Sequence, residues 1–97
     1  PMSTAVFLQN IRRVFRVEEK FAAIEEFLAT YVGMSSAPSL STEQLQTVFR
    51  EFFRGEEKLK VLSRLHTAVS DRDKLPALLD REFMFRERDE ARRITGL

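Results

Sequence analysis

Large apolar residues recur at intervals of three and four along nearly the whole chain, a rhythm that belongs to helices rather than strands. At about 100° per residue, Phe7, Ile11, Val14 and Phe15 share one face, with Arg12 and Arg13 opposite. Val17, Phe21, Ile24, Leu28, Tyr31 and Val32 form a second stripe that leaves Glu25 and Glu26 to solvent. Leu45, Val48, Phe49 and Phe52 form a third. In the fourth, Leu59, Val61, Leu62, Leu65, Ala68 and Val69 cover about half the circumference. A face that wide belongs at the centre of a bundle. With three glycines and three prolines, the chain lacks the turns of an all-β domain, which come about every 8–12 residues. The expectation is an all-α fold, a compact five-helix bundle, with residues 1–97 forming one domain excised from a larger protein.

Helix boundaries follow from local chemistry. Ser3 or Thr4 can cap the first helix, and Gly33 is a stop for the second. Met34 to Leu40 is serine-rich with one proline and reads as a loop. Ser41-Thr42-Glu43-Gln44 reads as a capping box opening the third helix, and Gly55 separates it from the fourth. The fifth helix begins at Ser70 or Asp73, the later start placing Pro76 within its first turn, and runs to about Arg93. A weak repeat runs through these junctions. Phe15-Arg-Val-Glu-Glu-Lys20 matches Phe53-Arg-Gly-Glu-Glu-Lys58, and Phe85-Arg-Glu-Arg-Asp-Glu90 is a fainter copy. The first two carry a glutamate pair into a helix start, where negative charge suits the dipole. They predict two helical hairpins with the same junction chemistry; the unequal spacing speaks against a solenoid.

Sixteen basic residues against fifteen acidic ones give a net charge of +1, so charge supplies no reason to expect nucleic acid or a membrane surface as partner. No cysteine is present, which excludes disulfides and zinc–thiolate sites and mildly favours a cytoplasmic home. No apolar run approaches the ~20 residues that cross a bilayer. Arg12, Arg13 and Arg16 interrupt the first apolar stretch, so no signal peptide is read there.

A convergent set of reactive groups is missing from the sequence. His66 lies within the apolar arc of the fourth helix, with Leu62, Ser63, Val69 and Ser70 as helical neighbours, and reads as a half-buried structural histidine. Adjacent glutamates at 18–19, 25–26 and 56–57 point about 100° apart and suit helix solvation rather than acid–base work. Arg81, Arg86, Arg88, Arg92 and Arg93 alternate with carboxylates, the pattern of a salt-bridged surface helix. An enzyme, a metal or a cofactor is therefore not expected.

Nine phenylalanines in 97 residues are the unusual feature. Phe7, Phe15, Phe21, Phe49 and Phe52 are read as core. Phe27 falls about 80° from the centre of its stripe and Phe53 at the edge of its helix. On the fifth helix, Leu75, Leu79 and Phe83 share one side, Leu78 and Phe85 another, and Met84 a third. Such a surplus marks an interaction surface where it is contiguous.

The run Phe7-Leu-Gln-Asn-Ile-Arg-Arg-Val-Phe15, the Glu18-Glu19-Lys20 helix entry and Leu28-Ala-Thr-Tyr31 resemble the first two helices of a harmonin-homology domain. Leu45-Gln-Thr-Val-Phe-Arg-Glu-Phe-Phe53, Lys58-Leu-Lys-Val-Leu62 and the Ser70-Asp-Arg-Asp73 entry resemble its last three, most closely in the whirlin-like members. The connector Met34–Ser41 is longer than that family's usual link, and the proline sits at 76 rather than at the helix entry. The resemblance implies a non-catalytic scaffold module that holds a short amphipathic helix of a protein partner in an apolar groove. Position on the helical wheel selects Phe27, Tyr31, Phe49, Phe53, Leu79, Phe83 and Phe85 as its lining. It also implies a cytoplasmic place, in stereocilia or other cell projections with Usher-type complexes. A homodimer through the fifth helix is the alternative, and a nucleic-acid-binding bundle a more distant one; no small-molecule substrate and no membrane insertion are expected.

Overall fold

Serine side chains start two of the helices as their sequence suggests. In the computed structural model, which describes all 97 residues, the Ser3 hydroxyl accepts from Val6 N–H, and Ser41 and Gln44 exchange both bonds of a capping box. Six α-helices follow one another: α1 Thr4–Arg13, α2 Val17–Ala29, α3 Thr42–Phe49, α4 Gly55–Leu65, α5 Leu75–Glu82 and α6 Phe85–Thr95. Short 3-10 turns at His66–Ala68 and Arg72–Lys74 lead from α4 to α5. There is no sheet, only one bridge between Leu40 and Val69 that ties the long connector to the turn after α4. The all-α class is as expected, and the number of helices is not.

The expected fifth helix is two. Phe83 and Met84 are extended, at φ −127° and −126°, and Phe85 takes a left-handed φ of 50°. The carbonyls of Asp80 and Phe83, at the end of α5, accept instead from the Arg88 guanidinium at 3.2 Å each. The break keeps Phe83 in the core while the chain reverses into α6.

Six helices make three hairpins, α1–α2, α3–α4 and α5–α6. α1, α3 and α5 lie side by side in one layer, and α4 lies between α2 and α6 in the other. The thinnest dimension, 19 Å, is that of two helix layers at about 10 Å each. This stack corrects the expectation of two hairpins: the faint third copy of the junction sequence marks a third corner. A single cluster of buried side chains joins the layers. Phe7 of α1 stacks on Phe27 of α2 at 4.3 Å, and Phe49 of α3 meets Phe83 edge-on at 5.6 Å.

Candidate functional site

The three hairpin corners lie in a row at one end of the stack, held there by charge. Lys20, in the first turn of α2, is only 8% exposed. Its ammonium donates to the carbonyls of Ile11 (3.2 Å) and Val14 (2.8 Å) in its own corner and to the Glu51 carboxylate (2.8 Å) in the next. Lys58 holds the equivalent place in α4 and reaches Glu82, before the third corner, at 3.6 Å. Gly55 lies directly against the Glu87 carboxylate at the start of α6. At the third corner the repeat places Glu90 there, and Arg88, the fourth residue of its helix as Lys20 is of α2, binds back to its own corner. The glutamate before each lysine closes its helix start: Glu19 accepts from Arg16 N–H, and Glu57 from Arg54 N–H.

What this machinery presents is aromatic surface. Phe15 is 95% exposed, Phe53 96%, and Phe85 80% with Met84 beside it at 64%. Each phenylalanine is followed by an exposed arginine: Arg16, Arg54 or Arg86. Phe15 was expected in the core. It is outside because α1 ends at Arg13 with Val14 extended, and the Ile11 carbonyl that the ended helix leaves open accepts from Lys20.

The seven residues selected for an apolar groove do not share a surface. Phe27, Phe49, Leu79 and Phe83 are sealed in the core, with no exposure at all. Phe27 looks peripheral on its single wheel, but each helix has neighbours on more than one side; Phe49 is core as its stripe has it, and the side shared by Leu79 and Phe83 is the one that faces inward. Tyr31 is half-buried against Phe27, and its hydroxyl donates to the Met2 carbonyl at 2.7 Å. Only Phe53 and Phe85 stand free, at adjacent corners. The cleft between α3 and α5, about 880 Å³, is lined by Gln46, Thr47, Arg50, Asp71, Lys74 and Arg81 among others, with Ala77 its single apolar residue. It is a polar channel rather than an oily groove.

Other candidates from the sequence have structural partners. His66 is half-buried at the end of α4 with Nδ1 unpaired, and burial, aided by Arg72, pushes its pKa below the ordinary value. Glu25 forms a two-pronged pair with Arg64 at 2.7 and 2.8 Å. Arg92 binds Asp80 at 2.7 Å, and Arg93 binds Glu90. No group of three or more His, Asp or Glu is placed to hold a metal ion.

A family model covers residues 1–95. The chain belongs to DUF4476, a domain family of unknown function. No curated protein matches this DUF4476 domain, and no solved structure does. No helix in it is long and apolar enough to cross a membrane.

Proposed function

We propose that this DUF4476 domain is a non-catalytic docking module that holds an amphipathic helix of a protein partner, with the corner end as its binding surface. The observation that carries this is the exposure of Phe15, Phe53 and Phe85, one at each of three corners that the fold fixes in a row. Exposed apolar side chains are ordinary when scattered singly and informative when they gather on one surface. Phe85 is also held in a left-handed conformation, which costs a bulky residue about 1–3 kcal/mol and persists where the surroundings impose it. The resemblance of the helix stripes to harmonin-homology domains supports the same class of activity, and a scaffold role in cell projections is proposed on that kinship.

Selection of displayed helical peptides on the intact domain tests the reading. Clones that bind should lose at least tenfold in affinity to the Phe15→Asp and Phe53→Asp variants, while unfolding midpoints move by no more than about 0.5 kcal/mol, as for exposed sites. Phe83→Ala is the control for a core position and should cost about 3–5 kcal/mol. Clones indifferent to both corner substitutions, or Asp variants that unfold like the Phe83 control, would overturn it. Self-association through the same end would appear as a dimer in sedimentation of the wild type that both substitutions abolish, and it too would count against a separate helical partner.

A further inference from the structure

We infer that the end of α6 is a pH-sensitive strap: mild acid protonates His66, and the charged imidazole displaces the Arg72 guanidinium that fastens α6 to the end of α4. The strap acts at the opposite end of α6 from the corners, whatever they bind. Three observations carry it: how little of α6 is buried, what fastens its end, and where His66 lies.

α6 has the smallest apolar anchor of the six helices. Each of α1 to α5 seals two or more large apolar side chains in the core, Phe7 and Ile11 being those of α1. α6 seals Ala91 and Thr95, with Ile94 half-buried beside them. Stabilisation by burial scales with apolar area, so an alanine holds a helix less firmly than a pair of large side chains. Segments with few buried apolar contacts open locally, before the rest of a fold. The hold on α6 is therefore largely polar. Arg92 binds Asp80 of α5, and Arg72 binds the last carbonyl of α6.

Arg72 is the fastening at the far end. One nitrogen of its guanidinium donates to the His66 carbonyl at 2.8 Å, and another to the Thr95 carbonyl at 3.0 Å. It joins the C-cap of α4 to the last residue of α6.

The Nδ1 of His66 is sealed from solvent without a partner. In the neutral ring it is an unpaired acceptor; in the protonated ring it becomes an N–H donor with nothing to accept it. The charged ring would also lie beside Arg72. On its own helix, the residues three and four positions away are Leu62, Ser63, Val69 and Ser70, none of them charged. Ahead of α5, Asp71 is held by Thr42, and on α6 Arg92 and Arg93 are held by Asp80 and Glu90. Arg72 is the charged group that bears on the ring, and together with burial it opposes protonation while the strap is closed. The opened form therefore takes the proton more readily. The closed form is fully favoured above the ordinary histidine value of 6.5 and loses ground as the pH falls through the lower native one.

His66 is the only histidine, so an NMR titration of the intact domain follows its imidazole without ambiguity. The midpoint should lie below 6.5 and move toward that value in Arg72→Gln. Amide hydrogen exchange, corrected for intrinsic rates, then reads the strap at about pH 7.5 and about pH 5.5, either side of the ordinary value. The amides of Ala91 to Thr95 should open at least about threefold more often at the lower pH, with those of α3 unchanged. His66→Gln should abolish that response, and Arg72→Gln should raise opening at the higher pH. A wild-type midpoint at or above 6.5 would overturn the inference without recourse to any variant. So would a response that survives in His66→Gln, which would belong to the carboxylates, or equal loosening of α3 and α6, which would be unfolding of the whole domain.

Discussion

A buried lysine ammonium is tolerable only with every proton donated and a counter-charge at hand, and Lys20 has three acceptors within 3.2 Å. It satisfies carbonyls that the end of α1 leaves open, and it binds a carboxylate one hairpin away. Both duties need length as well as charge, which is why the residue falls in the first turn of α2 facing back toward the corner. Lys20→Met keeps most of the stem and removes the donors, leaving Glu51 and two carbonyls without their partner. The expected loss is about 2–4 kcal/mol in urea unfolding followed by circular dichroism. Glu51→Gln should cost less, because the two carbonyl bonds remain. A Lys20→Met domain as stable as the wild type would mean that water replaces the ammonium freely, and the corner would then owe its shape to packing alone.

At the level of elements, the sequence is readable wherever one helix decides its own fate. The Ser41 box, the stripe of α3 and the glutamate-led starts of α2 and α4 are local, and each stands where the pattern puts it; the stripes of the first two helices hold except at their ends, where Phe15 and Val32 are exposed. What was hidden depends on a second element. Phe15 continues the stripe of Ile11, so no wheel can show that α1 stops at Arg13, where Lys20 of the next helix donates to the Ile11 and Val14 carbonyls. Phe27 looks peripheral on α2 because its partner, Phe7, belongs to α1. The division of α5 from α6 has no glycine or proline to announce it, and the sole signal was the faint third copy of the junction sequence. That corner is also strained, since Phe85 sits at φ 50° where glycine would rest without penalty. Phe85→Gly should therefore stabilise the domain by about 0.5–1 kcal/mol while weakening partner binding. A destabilised Phe85→Gly variant would show that the ring contributes to folding, and the third corner would lose its claim to be part of the docking surface.

For the whole molecule, carboxylates latch the stack together, and their protonation should loosen it. Glu25 of the first hairpin binds Arg64 of the second, and the hydrogen bonds from that guanidinium hold its carboxyl below the usual value. Asp71, ahead of α5, is held low by the hydroxyl and N–H of Thr42 at the start of α3, and Asp80 by Arg92 within the third hairpin. A carboxyl whose native pKa is depressed binds protons more readily in the unfolded chain. Its contribution is therefore complete above the ordinary value, 4.5 for Glu25, and drains away as the pH falls through the lower native one. Stability should be level above about pH 5 with respect to these groups and decline below about 4. Glu25→Gln isolates the latch between the first two hairpins. The pair is half exposed, so the variant should lose only about 0.2–1 kcal/mol at pH 7, and less in high salt. The two unfolding midpoints should then converge as the pH is lowered to about 2, where the wild type has lost the same charge. A gap of constant size from pH 7 to 2 would mean that Glu25 acts through packing, and the first hairpin would be held to the second by Lys20, the Phe21–Phe52 contact and the shared core.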